Sequence, residues 1–290
     1  MQARTGETDV VNAVGHFAWY ELTTTDFEGA RAFYTKVMGW GAWDASAPGR
    51  PYILFTSGKA TVSGLMDLPP AARQAGAAPC WVGYVAVDDV DATADRIKRR
   101  GGAVEVPPTD IPGICRFSVF TDPQTATLGL FKSSSSDHER PPTMDAPGRV
   151  GWHELLAADR EKAFAFYGEL FGWQQADADV GAAGTYQVFS AGGQAIGGIL
   201  TKPPAVPAPS WLYYFNIDDI DAAAKRVTAG GGQILDGPLE LPGGTWIANC
   251  TDPQGAVFAL QGKRRPNAIG YFERVAPRDP SDARGRRWSW

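Results

Sequence analysis

An internal repeat constrains the fold of this chain more than any other feature of its sequence. Residues 19–40 read WYELTTTDFEGARAFYTKVMGW, and they align without a gap with residues 152–173, which read WHELLAADREKAFAFYGELFGW. Later in each half, TDPQTATLGL at 121–130 answers TDPQGAVFAL at 251–260. Similarity this dense indicates an internal duplication. We therefore expect two halves of one fold that pack as pseudo-twofold partners.

Each half divides again into two similar units. The alternation of apolar and polar residues predicts a first strand, and Asp26 is a suitable N-cap for a helix that buries Ala30, Phe33, Tyr34 and Val37 on one face. The predicted elements of the first half are a strand at 15–23, a helix at about 27–38, strands near 52–57, 60–66 and 81–87, a helix near 90–100, and strands near 103–106, 115–120 and 126–131. The pattern predicts an α+β protein with four βαβββ modules.

The repeat also sets the expected domain boundaries. The sequence predicts an N-terminal domain over 12–132, a linker over 133–148, a C-terminal domain over 149–262 and a tail over 263–290. Serine, proline and charged residues dominate the linker, as in an exposed connector. The tail carries eight basic and three acidic residues and is expected to be poorly ordered.

Composition and charge exclude several classes of protein. A net charge of −5 argues against a general nucleic-acid binder, which needs a basic face to meet phosphate. The chain has no apolar run of about 18 residues, so no membrane span is predicted. Its first residues lack the apolar core of a secretory signal, and its three cysteines fit reduced thiols, so we expect a cytoplasmic location.

The repeated motifs resemble those of a known family. D-x-x-x-A-x-x-F-Y-x-x-x-x-G-W follows the first strand, and D-P-x-G-x-x-x-x-L lies in the last hairpin. Together they resemble the vicinal-oxygen-chelate superfamily of glyoxalases, bleomycin-resistance proteins and extradiol dioxygenases. W-x-E-L-x-x-x-D and T-D-P-Q look like its tandem actinobacterial "hydroxylase" subgroup. The resemblance implies that pairs of modules curl into open half-barrels, with the ligand on the concave face and helices on the convex face.

The same resemblance implies where a metal would bind. Family enzymes hold a divalent ion through His, Glu or Gln at set strand positions. The matching residues here are Trp19, Val82 and Gly129 in the first half and Trp152, Leu212 and Ala259 in the second. None of these side chains can donate a lone pair to a metal. His16 and His153 are not equivalent in the repeat, and His138 falls in the linker, so we predict no metal and no cofactor.

Strand alternation predicts which side chains line the two concave faces. If Trp19 faces the cavity, then Glu21 does too, while Tyr20 packs under the helix and His153 faces away from its own cavity. The predicted ligand-binding residues are Trp19, Glu21, Tyr84 and Arg116 in the first half and Trp152, Glu154, Tyr214 and Trp246 in the second. Glu21 and Glu154 are also the candidate catalytic residues, although each could instead hold a structural partner.

Other prominent residues have simpler interpretations. The tryptophans Trp40, Trp81, Trp173 and Trp211 are expected to be core residues. Asp88-Asp89 and Asp218-Asp219 are expected to cap helices, and the TDPQ segments are expected to be turns.

These features favour one function and leave two alternatives. Ten tryptophans and an apolar cleft suit a metal-independent protein that binds a small planar aromatic metabolite or antibiotic. Such a protein would act in secondary-metabolite biosynthesis or self-resistance, as a monomer, by sequestering its ligand or by assisting a partner tailoring enzyme. The first alternative is a cofactor-free oxygenase, isomerase or lyase with a pocket glutamate as general base. The second is a glyoxalase-type metalloenzyme.

Overall fold

Two eight-stranded mixed sheets, one in each half, form the framework of the protein. The structure, a computed structural model, describes residues 14–134, 144–176 and 186–265. The first half contains β1 (Phe17–Thr24), α1 (Phe27–Met38), β2 (Gly41–Asp44), β3 (Tyr52–Ser57), β4 (Ala60–Asp67), α2 (Pro70–Gln74), β5 (Cys80–Ala86), α3 (Val90–Arg99), β6 (Ala103–Ile111), β7 (Cys115–Thr121) and β8 (Thr127–Ser133). The second contains β9 (Val150–Ala157), α4 (Arg160–Phe171), β10 (Gln174–Gln175), β11 (Tyr186–Ala191), β12 (Gln194–Thr201), β13 (Ser210–Ile217), α5 (Ile220–Ala229), β14 (Gln233–Glu240), β15 (Trp246–Thr251) and β16 (Val257–Gly262).

The order of strands confirms the predicted modules. The first sheet runs β2-β3-β4-β1-β5-β8-β7-β6, and the second repeats this order from β10 to β14. Within a module the first and last strands pair in parallel, and the two modules of a half join through the antiparallel pair β1 and β5. The α+β architecture of four tandem modules in two halves is therefore as predicted. The short strand β2 and the five-residue helix α2 were not located from the sequence.

The first helix of each half begins and ends where the repeated motif predicts. Asp26 Oδ1 accepts a hydrogen bond from Gly29 N–H at 3.0 Å, and Gly39 ends α1 in the left-handed conformation at φ 71°. Asp159 and Gly172 do the same for α4. In each of the two predicted acidic pairs, the second aspartate caps the helix. Asp89 caps α3, and Asp219 caps α5.

Both halves share one hydrophobic core, which lies on the helix-bearing faces of the sheets. Phe33 of α1 packs edge-on against Phe258 of β16, and Trp81 of β5 lies 5.0 Å from Phe215 of β13 between ring centroids. The core therefore runs continuously from one half into the other. The opposite face of each sheet, which we call the open face, carries the residues that alternate with those of the core.

Reciprocal hydrogen bonds between the repeated motifs hold the halves together. Tyr34 of the first Phe-Tyr motif donates to Asp252 Oδ2 in the second TDPQ segment at 3.1 Å. Tyr167 donates to Asp122 Oδ2 in the first TDPQ segment at 3.0 Å. We call these two contacts the Tyr–Asp joints. Because each joins equivalent motifs of opposite halves, they express the predicted pseudo-twofold relationship.

The predicted core tryptophans complete these joints. Trp81 Nε1–H donates to the Tyr34 hydroxyl at 2.9 Å, and Trp211 Nε1–H donates to the Tyr167 hydroxyl at 3.3 Å. Trp40 and Trp173 are buried as well, and each donates to a backbone carbonyl that precedes the opposite half, at Gly148 and Gly15 respectively. The core assignment is confirmed for all four, and their indole N–H groups all find partners.

The TDPQ segments are turns, as predicted, and they have a second role. In the second half, Asp252 Oδ1 accepts from the backbone N–H groups of Gln254 and Ala256 at 2.9 and 2.8 Å, which fixes the turn. Its other carboxylate oxygen is then free to accept from the opposite half. One aspartate therefore shapes the turn and receives the joint, which explains the presence of this motif in both copies.

The contacts across the centre of the pseudo-twofold use equivalent but different residues. Tyr20 and His153 occupy the same position of the repeat and meet directly, with the Tyr20 hydroxyl 2.5 Å from His153 Nε2. Gly83 and Tyr213 are also equivalent, and Gly83 N–H donates to the Tyr213 hydroxyl at 2.7 Å. The absent side chain of Gly83 leaves room for the Tyr213 ring, because a Cβ atom there would come within 2.7 Å of it.

His153 is held as a neutral imidazole. Its Nδ1 lies 2.5 Å from the carbonyl oxygen of Ile196, which can only accept, so Nδ1 carries the proton and Nε2 accepts from Tyr20. The ring stacks on Phe17 at 3.8 Å between centroids. Burial lowers the pKa of His153 to about 3. The prediction that this side chain faces away from the cavity is confirmed.

Parts of the predicted features lie outside the described residues: 1–13 with the predicted start of the first domain at residue 12, 135–143 of the linker with His138, 177–185 of the second domain, and 266–290 of the basic tail. In the ranges that are described, no helix combines the length and the apolar character needed to cross a bilayer.

The Tyr–Asp joints predict a matched pair of stability losses. Tyr34→Phe leaves a buried carboxylate oxygen and a buried indole N–H without a partner, and it should lower the free energy of unfolding by about 2 to 3 kcal/mol in urea titrations. Tyr167→Phe should cost a similar amount. The exposed Glu28→Gln on α1 is the control and should change stability by less than about 0.5 kcal/mol. Equal effects of Tyr34→Phe and Glu28→Gln would contradict the role of the joints.

The neutral His153 predicts a pH dependence of stability. In the unfolded chain this side chain binds a proton below about pH 6.5, whereas in the folded protein it stays neutral down to about pH 3. Stability from this residue is therefore complete above pH 6.5 and falls as the pH drops. The difference in unfolding free energy between wild type and His153→Gln should shrink by about 2 kcal/mol between pH 6.5 and 5. A difference that does not change with pH would show that the pKa of His153 is the same in the folded and unfolded states, and would contradict the buried neutral imidazole.

Candidate functional site

The open face of the first half centres on a carboxylate. Trp19 and Glu21 alternate with the core residues of β1, and the sheet register places Tyr84 opposite Trp19 and Val82 opposite Glu21. Cross-strand partners lie on the same face of a sheet, so these four side chains share the open face. The structure therefore brings together Trp19, Glu21 and Tyr84 of the predicted first-half set.

Two phenols bind both oxygens of the Glu21 carboxylate. The Tyr52 hydroxyl donates to Oε1 at 2.8 Å, and the Tyr84 hydroxyl donates to Oε2 at 3.0 Å. The result is a carboxylate held between two phenols, which we call the tyrosine–glutamate network. The indole of Trp19 lies near Tyr52 and partly lowers the pKa of that phenol. The structural partners of Glu21 are thus two phenols of its own half.

The second half contains the same network. Trp152 Nε1–H donates to the Tyr186 hydroxyl at 2.7 Å, and the Tyr214 hydroxyl donates to Glu154 Oε1 at 3.1 Å. Tyr186 lies near Glu154 and partly lowers the pKa of its carboxyl. Both copies of the fold therefore place one buried carboxylate between two phenols.

Sequence reasoning missed Tyr52 and Tyr186. Each is the first residue of the second strand of the first hairpin, β3 or β11, but they lie 134 residues apart, whereas Trp19 and Trp152 lie 133 apart. An ungapped alignment therefore leaves them out of register. The signal that could have found them is a glycine on the neighbouring strand, since each ring lies over Gly64 or Gly198, where a Cβ atom would overlap it.

Burial and hydrogen bonding act in opposite directions on these carboxyls. Burial raises the pKa of Glu21, and the hydrogen bonds from Tyr52 and Tyr84 lower it in part. The pKa of Glu154 is raised by burial and partly restored by Tyr214 and Tyr186 in the same way. Burial also raises the pKa of each of these tyrosines, so the phenols remain proton donors.

The predicted orientation of Arg116 and Trp246 is wrong. Arg116 points to the helix side of its sheet, where it forms ion pairs with Asp91 of α3 at 2.7 Å and Asp110 at 2.9 Å. Trp246 also packs toward the main core, and Arg264 covers its ring at 3.6 Å. Along β7 and β15, the side chains that face the open side are shifted by one residue from the predicted ones. The open face receives Phe117 and Ile247, the next residue in each case.

The positions that would carry metal ligands in relatives lie on the open faces but hold no donors. In the first half these positions are Trp19, Val82 and Gly129, and Val82 pairs with Glu21. In the second they are Trp152, Leu212 and Ala259, and Leu212 pairs with Glu154. Within the described ranges, no three His, Cys, Asp or Glu side chains are grouped so that they could hold a metal ion. The residues present therefore do not fit the family's metal site.

What the open faces offer is aromatic and apolar surface. In the second half, Leu212, Tyr214 and Ala259 form a small buried cluster that is separate from the main core, with half-buried Trp152 and Ile247 packed on it. In the first half, Trp43 of β2 pairs with Leu54 on the open face and is 66% exposed. A pocket of about 510 Å³ lies elsewhere, at the seam between the halves, and its lining includes neither glutamate.

Comparisons with known proteins agree with this geometry. The sequence profile of the Glyoxalase/Bleomycin resistance protein/Dioxygenase superfamily matches residues 13–129 and 149–260. The "Putative glyoxylase CFP32" of Mycobacterium tuberculosis is 37% identical over 245 residues, which cover 83% of this chain and 92% of that protein. The "Anthracycline biosynthesis protein DauV" of Streptomyces sp. strain C5 is 32% identical over 262 residues, covering 86% and 93%.

The solved structures show a similar fold at low sequence identity. The Mn(II)-bound glyoxalase of Novosphingobium aromaticivorans superposes with a TM-score of 0.59 at 18% identity, covering 88% of this chain and 84% of that one. At this identity the likeness concerns the fold alone.

The tyrosine–glutamate network predicts further pKa changes. Because the two phenols lower the pKa of Glu21, Tyr52→Phe and Tyr84→Phe should each raise it, and the double variant should raise it more. Titration of the side-chain carboxyl carbon by NMR measures this. Tyr186→Phe is the matched control, since it should raise the pKa of Glu154 and leave that of Glu21 unchanged. An unchanged Glu21 pKa in the double variant would contradict the network.

Proposed function

The chain belongs to the glyoxalase, bleomycin resistance protein and dioxygenase superfamily, and we propose that it binds a small planar aromatic metabolite without a metal ion. The observation that carries this proposal is the pair of open faces. Each presents half-buried tryptophan beside a tyrosine–glutamate network, at the positions where relatives would hold a cation.

The chemistry of these faces suits a flat, largely apolar ligand. Indole and phenol rings stack on planar molecules, and a few fixed polar groups orient them. The glutamates already accept hydrogen bonds from phenols, at both oxygens of Glu21 and at Oε1 of Glu154, so the surface offered for binding is mainly that of the rings and of apolar neighbours such as Phe117 and Ile247. A planar polyketide-like molecule meets this description.

Similarity to a protein named for anthracycline biosynthesis supports a setting in secondary metabolism. We propose that the protein acts there as a binding protein, either sequestering its ligand in self-resistance or assisting a tailoring enzyme. We also propose that it acts as a monomer, because the duplication already supplies the paired halves. We propose a cytoplasmic location, because its three cysteines are free thiols.

The geometry favours binding over general-base catalysis. Each carboxyl has a raised pKa, which suits a base, but Glu21 already accepts a phenol hydrogen bond at each oxygen and Glu154 accepts one at Oε1. A substrate proton would have to displace one of these phenols. The metalloenzyme alternative requires donors that the family's metal positions lack.

Ligand binding is testable through the intrinsic fluorescence of the tryptophans. Titration with a panel of hydroxylated anthraquinones should quench the emission with saturation, and treatment with EDTA should leave the apparent Kd unchanged. Trp19→Leu and Trp152→Leu should each weaken binding at the affected half by about 5- to 10-fold, because stacking contributes about 1 kcal/mol. Trp43→Leu tests whether the exposed Trp43 on the open face of the first half also contacts the ligand.

The same titration separates the alternatives. A bound ligand recovered with unchanged mass after long incubation supports a binding protein, whereas a new product that disappears in Glu21→Gln or Glu154→Gln indicates catalysis. Loss of binding on EDTA treatment, restored by one divalent ion per chain, would overturn the metal-free proposal. Intact folding without quenching by any planar compound would overturn binding itself.

A further inference from the structure

Asn249 carries a buried acceptor without a partner on the open face of the second half. Its Oδ1 is inaccessible to solvent and has no hydrogen-bond partner. Ala248 and Cys250, its neighbours along β15, belong to the main core, so Asn249 faces the other way. The register places it opposite Ala259, which pairs with Tyr214. The amide therefore lies in the same cross-strand row as the tyrosine–glutamate network.

The duplication supplies an internal reference for this position. In the first half the residue at the equivalent register is Val119, which pairs with Gly129 in the row of Tyr84. A β-branched apolar residue therefore fits this place in the fold. A buried acceptor left unpaired costs about 1 to 3 kcal/mol. The asparagine carries that cost without contributing a hydrogen bond to the described part of the fold.

At a second position, too, a polar side chain of the second half corresponds to a valine of the first half. Asp236 pairs with Asn249 across β14 and β15, whereas Val106 pairs with Val119 in the first half. The Asp236 charge is close enough to add to the effects of burial and Glu154 that raise the pKa of Tyr214. Two valines of the first open face are thus replaced by two acceptor-bearing side chains in the second.

We propose that the open face of the second half recognises a planar aromatic ligand through a hydrogen-bond donor on its edge, a hydroxyl or amine that Asn249 Oδ1 accepts. This inference rests on the proposed function, since it assigns a specificity to the same surface. The ligand ring lies against Trp152 and Ile247, and its donor edge is directed to Asn249 and Asp236. The first half, with Val106 and Val119, takes an edge without donors.

Two probes with one ring system test this. Binding of 2-hydroxyanthraquinone and 2-methoxyanthraquinone is measured by equilibrium dialysis, in a Trp19→Leu background that weakens the first half. The protein should prefer the hydroxyl probe by about 10-fold, as expected when a donor satisfies a buried acceptor. Asn249→Val should abolish the preference by weakening binding of the hydroxyl probe, and Asn249→Asp, which keeps an acceptor, should retain it.

The matched variant is Val119→Asn in a Trp152→Leu background. It should give the first half a preference for the hydroxyl probe that the parent lacks. Thermal unfolding adds a measurement that does not depend on ligands. Since Asn249 Oδ1 has no partner, Asn249→Val should leave the melting temperature unchanged or raise it. A clear fall in melting temperature would show that the amide serves the fold and would overturn the inference.

The remaining outcomes are distinguishable. If both probes bind equally, or if Asn249→Val keeps the preference, the donor specificity is wrong while the proposed binding function stands. A preference for the methoxy probe would mean that the amide nitrogen faces the ligand, and it would also overturn the inference. If neither probe nor any member of the anthraquinone panel binds, the proposed function fails and the specificity fails with it.

Discussion

The two Tyr–Asp joints are the contacts on which the rest of the structure depends. Each buries a carboxylate oxygen, a phenol and an indole N–H in an apolar core, where any one of them would be costly alone. Their mutual satisfaction requires the Phe-Tyr helix of one half to meet the TDPQ turn of the other. Since the helix-bearing faces are thereby fixed against one another, the opposite faces of the sheets remain uncovered by the other half.

The open faces use the same chemistry for a different purpose. A glutamate there is paired by phenols of its own half, and glycines under the tyrosine rings provide the necessary space. Because each glutamate is bound by phenols of its own half, these networks present mainly aromatic surface. Tryptophan, valine and leucine stand at positions where relatives would place His, Gln or Glu. The open faces therefore lack metal-binding side chains at these positions and present ring and apolar surface instead.

Duplication made the two halves alike, and the differences between them indicate their separate roles. At the centre of the pseudo-twofold, Tyr20 donates a hydrogen bond to His153 and Gly83 makes room for Tyr213. These differences serve the contact between the halves. On the open faces, Val106 and Val119 correspond to Asp236 and Asn249. There Asn249 Oδ1 has no hydrogen-bond partner among the described residues, so this difference does not serve the fold in the same way.

The sequence by itself determined the fold class, the modules, the helix caps and the core tryptophans, because periodicity and capping are local and the repeat showed them twice. It also placed Trp19 and Glu21 on one face of β1, since alternation along a single strand is reliable. Only the tertiary structure decided the partners. Tyr52 and Tyr186 reach the glutamates from strands whose register depends on hairpin length. Arg116 and Trp246 face the helices because pairing with β8 and β16 decides which side chains of β7 and β15 point to which face of the sheet. The joints between halves likewise bring together residues 218 and 45 positions apart, distances over which no local pattern extends.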